Sequence, residues 1–203
     1  MADNYLERKF EEHLRTSYPP ATRRYAHRPT KHVVVLADDN SAVAFSVAKQ
    51  MRIAGHNVTL VDNNRSKEDC SKIGVNNTLL QPDVIDSLNI EAVNRGPIDF
   101  IIVCMATLPF ELFNVAYSYM LNVSSLGKKM VCCVQSDNLT ANDVDNLFLQ
   151  INTAARSVAK NTLRLNAVSY SAVSEYTLLE VAQIIRFLCE DSSSAMHGNH
   201  ISL

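Results

Sequence analysis

Apolar residues in this chain fall into short continuous runs, and the segments between them show helical periodicity. Val33–Ala37, Val58–Asp62, Phe100–Met105, Lys129–Val134 and Leu163–Val168 read as strands, with Thr78–Leu80 a short further one. Between them, Ala42–Ile53, Lys67–Gly74, Val84–Asn94, Glu111–Leu121, Leu147–Lys160 and Leu178–Cys189 read as helices or helical turns. Strands that are apolar throughout belong to a parallel sheet covered on both faces. The predicted fold class is therefore α/β, a three-layer doubly wound parallel sheet of Rossmann-like type. Upstream, residues 3–18 carry Leu6, Phe10 and Leu14 on one helical face before Pro19-Pro20 ends the helix. The predicted organisation is a helical arm and linker over 1–31 and one domain over 32–203. The apolar edge of the arm is expected to pack on that domain or on a second subunit.

Composition narrows the classes. With 47% apolar and 20% charged residues, the chain is that of a folded globule. Its net charge of −2 gives no electrostatic reason to expect nucleic acid or an anionic membrane as partner. No apolar run reaches the roughly 18 residues of a membrane span, and the charged N-terminus has no apolar signal core. Five cysteines without CxxC spacing read as buried thiols in a reducing compartment, so a cytoplasmic location is expected. His197 and His200 form HxxH on what reads as a terminal loop, with no third ligand near in sequence, and no metal site is expected there.

Ligands of such sheets bind beyond the carboxyl ends of the strands, at the switch in strand order. The first crossover is Ala37-Asp38-Asp39-Asn40-Ser41-Ala42-Val43-Ala44, which contains no glycine. Asp62 follows the second strand at the position where an acid commonly accepts a ribose hydroxyl; it also suits the start of the turn Asp62-Asn63-Asn64.

Several segments, in order, resemble the short-chain dehydrogenase/reductase family. Leu163-Arg164-Leu165-Asn166-Ala167-Val168 is similar to its "RVNAV" strand. Glu180-Val181-Ala182, Phe187 to Ser192 and His197-Gly198-Asn199 resemble its "EEVA…FLxSD…TGQ" ending. Pro82 to Asp86 is similar to "DVTD", and Pro97 to Val103 to "GxIDILVNNA". The likeness runs from about residue 32 to the end and implies a dinucleotide-type fold, with NAD or NADP as cofactor if any. It also implies pairing through the helices Glu111–Leu121 and Leu147–Lys160, in a homo-oligomer or a hetero-oligomer with an active relative.

The departures from that pattern carry as much information. The family's TGxxxGxG turn is matched by Ala37, Asp38, Ala42 and Ala44. Side chains there obstruct the approach of backbone to pyrophosphate. Asp38 and Asp39 add negative charge, each opposing a diphosphate by about 4 kcal/mol at about 4 Å before screening, unless one simply caps the next helix. The family's proton relay is a Tyr and Lys spaced YxxxK, in which the lysine lowers the tyrosine pKa. Counting back from Arg156–Ala159 puts Val144 in the tyrosine slot and Phe148 in the lysine slot, and no tyrosine occurs between Met120 and Ser169. Ser136 lies near the family's serine with no base to activate it, and otherwise reads as a loop serine. Ser169-Tyr170-Ser171 replaces a Pro-Gly turn, and the substrate-covering segment is reduced to Ser171–Leu179. The expected function is thus a non-catalytic oligomeric or regulatory subunit. A remnant nucleotide pocket would comprise Asp38, Asn40, Ser41, Ala42, Val43, Asp62, Asp83, Val84 and Val103. The alternative is an atypical NAD(P)-dependent oxidoreductase acting on a carbonyl or alcohol through Ser136.

Overall fold

The computed structural model describes residues 30–38, 41–64, 66–78, 83–105, 111–123, 127–137, 139–159, 162–171, 177–190, 193 and 195–203. The arm helix, most of its linker, Asp39, Asn40, Leu79-Leu80, Pro82 and Lys160 lie outside them. Seven strands form one sheet in the order β3-β2-β1-β4-β5-β6-β7. They are β1 (His32–Asp38), β2 (Asn57–Val61), β3 (Asn76–Thr78), β4 (Phe100–Met105), β5 (Lys128–Gln135), β6 (Leu163–Tyr170) and β7 (His200–Ser202). Every pairing is parallel. The helices are α1 (Ser41–Ile53), α2 (Lys67–Lys72), α3 (Val84–Arg95), α4 (Glu111–Asn122), α5 (Ala141–Ser157) and α6 (Leu178–Cys189).

Alternation along each strand divides the apolar residues into two core layers. Val33, Val35, Leu60, Ile102 and Cys133 face α1, α2 and α6. Val34, Leu36, Ile101, Val103 and Cys132 face α3, α4 and α5. Cys132 and Cys133 thus lie on opposite faces, as the strand pattern requires. The doubly wound parallel sheet is as predicted.

Three element assignments shift. Helix α5 starts at Ala141, six residues before the predicted Leu147, because Thr140 and Asp143 form a capping box. The third strand covers Asn76–Thr78 and is wholly polar. It is held by side chains: Thr78 and Thr59 donate to Glu91 of α3 at 2.6 and 2.8 Å, and Asn76 donates to the Val58 carbonyl. Strand β7 lies where the sequence reads as a terminal loop; it pairs with Ala167–Ser169 of β6 and places His200 inside the sheet.

Two consecutive lysines brace the layers. Lys128 and Lys129 are both buried, and alternation sends them to opposite faces. The Lys128 ammonium donates to the Met120 and Val123 carbonyls at the end of α4. The Lys129 ammonium donates to the Cys189 carbonyl at the end of α6 and lies 5.0 Å from the Phe100 ring centroid. Each cation therefore satisfies carbonyls that a helix leaves unpaired, at the negative end of its dipole.

Candidate functional site

Strand order reverses between β1 and β4, so the crevice of interest lies beyond their carboxyl ends. The topology brings the sequence-derived pocket residues to this edge. Asp38 ends β1 opposite Met105, and Ser41 opens α1. Ala42 is exposed, whereas Val43 is fully buried in the α1 layer. Asp83 caps α3, accepting from the Ile85 amide at 2.8 Å, with Val84 half-buried behind it. Val103 is fully buried in the opposite core layer. Asn40 lies outside the described residues.

Asp62 falls one residue beyond β2 and has 0% exposure. Its Oδ1 accepts from the Asn64 amide at 2.7 Å, so the carboxylate serves its own turn. The strand register sets it level with Ala37 and Cys104. The Cys104 thiol has its pKa held well above the ordinary value. The Cys133 thiol hydrogen-bonded beside it is the main cause, burial the next, and the Asp62 charge adds to them. Burial pushes the Cys132 thiol up as well, and that of Cys189 to about 12. All five thiols are buried, and these three are protonated at neutral pH rather than poised as nucleophiles.

At the end of β5, Ser136 donates its hydroxyl to the Tyr170 carbonyl at 3.0 Å, and its amide binds the same oxygen. Beside it Ser171 donates to Asp137, and Gln135 donates to Asp137 at 3.0 Å. These bonds lock the ends of β5 and β6 together. The Ser136 hydroxyl is given to a carbonyl, which cannot take its proton in a reaction.

The positions matching the family's tyrosine and lysine, Val144 and Phe148, lie on α5 and are half-buried. Phe148 packs against the core layer under α5, and its ring stacks on His200 of β7. An aromatic ring therefore stands where the resemblance would place the ammonium. His200 Nε2 is 2.9 Å from Ser169 Oγ, which donates its one proton to Ser202 at 3.3 Å. Burial lowers the His200 pKa to about 4, so the ring is neutral at pH 7. Sequence reasoning missed this serine–histidine pair, because nothing in a three-residue terminal strand signals that it joins the sheet. Ser169 is 2% exposed, which makes the pair a fastening for β7 and not a nucleophile with its base. His197 is similarly engaged, accepting from the Leu165 amide at Nδ1 and donating from Nε2 to the Ala155 carbonyl.

On the outer surface, α4 and α5 enclose a groove of about 600 Å³ lined by Phe113, Tyr117, Leu149, Gln150, Thr153 and Ser157, among others. Tyr117 spans it, donating to the Ala154 carbonyl at 3.1 Å. None of the lining residues is charged, and Leu149 is 66% exposed. Among the described residues no helix is long and apolar enough to cross a membrane.

No protein-family model and no curated protein matches this sequence. Solved structures do match in fold. A short-chain dehydrogenase/reductase from Serratia marcescens superposes with a TM-score of 0.70 at 11% identity, over 85% of this chain and 96% of that one. An NADH-dependent reductase solved in complex with NAD gives 0.68 at 11% identity, over 86% and 95%. BdcA from E. coli gives 0.65 at 16% identity, over 85% and 97%. The chain is thus similar in fold to the short-chain dehydrogenases and reductases, as the ordered sequence landmarks implied.

The His200 environment has a consequence for acid stability. With a folded-state pKa near 4 against the usual 6.5, the unfolded chain takes up the proton first as pH falls. Stability from this residue is complete above pH 6.5 and declines toward pH 4. Urea midpoints measured across that range should fall more steeply for the wild-type chain than for His200→Gln. Parallel slopes would show that the ring is solvated.

Proposed function

We propose that this chain is a short-chain-dehydrogenase-like Rossmann protein that has lost dehydrogenase catalysis and acts as a cytoplasmic, non-catalytic oligomeric or regulatory subunit. The observation that carries this reading is Phe148. Its ring packs against the core and stacks on His200, at the position that should supply a lysine to lower a tyrosine pKa and hold a ribose. Val144 in the preceding slot has no ionisable group, and Ser136 donates to a backbone carbonyl. A hydride transfer coupled to proton transfer has no side-chain acid or base among these three groups. The competing reading, an atypical NAD(P)-dependent oxidoreductase, draws on fold neighbours named as reductases. An assay of NADH and NADPH oxidation against a panel of aldehydes and ketones separates the two. Rates should equal the enzyme-free background; turnover that drops in Ser136→Ala would establish the enzyme reading.

Subunit function would be carried by the groove between α4 and α5, with a second copy of the chain as its occupant. Its uncharged lining matches the depletion of charge at interface centres. Leu149 would then be buried at the contact. Sedimentation equilibrium should show a dimer or larger, shifted toward monomer in Leu149→Arg with an unchanged far-ultraviolet spectrum. A wild-type monomer at about 100 μM would remove the homo-oligomer, and assembly only with an active relative would replace it by the mixed complex.

A further inference from the structure

A chain can lose turnover and still keep its cofactor, so the loss of the proton relay leaves the crevice itself to be explained. We infer that the crevice at the strand-order switch does not hold a dinucleotide, because the acid after β2 is sealed in the interior and the first turn lacks the glycines that a pyrophosphate needs. A dinucleotide in a fold of this type needs backbone amides of the first turn open to its pyrophosphate and an acid after the second strand open to a ribose.

The residue types of the turn and the burial of the acid speak against both. The turn from residue 37 to 44 has no glycine, and two acids, Asp38 and Asp39, stand within it. Ala37, Val43 and Ala44 belong to the core layer beneath α1, with Val43 and Ala44 at 0% exposure. Asp62, the acid after β2, is also at 0% exposure and holds the Asn64 amide. Its charge acts inward, on the buried Cys104 thiol. To reach a ribose, the Asp62 carboxylate would have to be uncovered. Val103, on the neighbouring strand across the switch, is sealed in the opposite layer. The residues present do not fit the cofactor. Asp62 is a structural acid of the turn between β2 and α2.

Isothermal titration of the full chain with NAD, NADH, NADP and NADPH tests this, with a cooperative thermal melt as the check that the protein is folded. The expected result is no saturable heat with any of the four up to about 1 mM. The melting temperature should likewise stay constant when nucleotide is added. The Asp62→Asn variant should melt at a lower temperature and give the same flat titration. Saturable binding of any of the four nucleotides overturns the inference, and weaker binding in Asp62→Asn would identify the acid as a ribose ligand. Binding without turnover would leave the reading of lost catalysis intact. Turnover would end both.

Discussion

The parallel pairing of β1 with β4 organises everything else in this molecule. Residues more than sixty positions apart meet in register from Val33 opposite Phe100 to Asp38 opposite Met105. Their central side chains are fully buried on both faces of the sheet, which commits helices to cover each side. The same pairing sets the point where strand order reverses, and so the crevice that this topology dictates. Asp62 and the start of α1 come to this edge because β1 pairs with both β2 and β4.

A parallel sheet must also terminate many helices inside the protein, and the chain solves that problem with polar side chains buried at defined places. Lys128 and Lys129 close the ends of α4 and α6 on opposite faces. Glu91 gathers Thr59, Thr78 and Arg95, and so fixes the polar edge strand β3 to α3. Ser169 and His200 hold the last strand. Removing one member of such a buried group leaves its partners unsatisfied, and the cost of that exceeds the value of any single bond. The polar groups that remain near the crevice serve the architecture in the same way: Ser136 joins β5 to β6, and Asp62 shapes its turn.

Much of this was legible in the sequence, and what was not has physical reasons. The apolar strands and α6, with its Thr177–Glu180 capping box, follow from pattern alone. The start of α5 lies earlier than the pattern suggests because Thr140 to Asn146 is polar apart from Ala141 and Val144, although its capping signal is present. Strand β3 lies two residues before its expected place and β7 escapes, because both are three residues long and are held by side-chain bonds to distant elements. At the site, residue identities were visible but orientation was not. Asp62 reads equally as ribose acceptor or turn former until its burial is known. The vacancy of the tyrosine and lysine slots was readable; that Phe148 meets His200 depends on a contact 52 residues apart, since His200 joins the sheet only through β7.

The proposed loss of catalysis rests on one idea: positions that the family resemblance would set facing a reacting ligand hold the fold together here. Phe148 is the sharpest case, so restoring a lysine there tests the account most directly. In Phe148→Lys the stacking on His200 is lost and a cation enters a half-buried aromatic site. The chain should lose about 2 kcal/mol of stability by urea unfolding and gain no NAD(P)H-dependent activity. A Phe148→Lys variant as stable as the parent, with measurable turnover, would show that the slot is still an active-site position and would contradict the account.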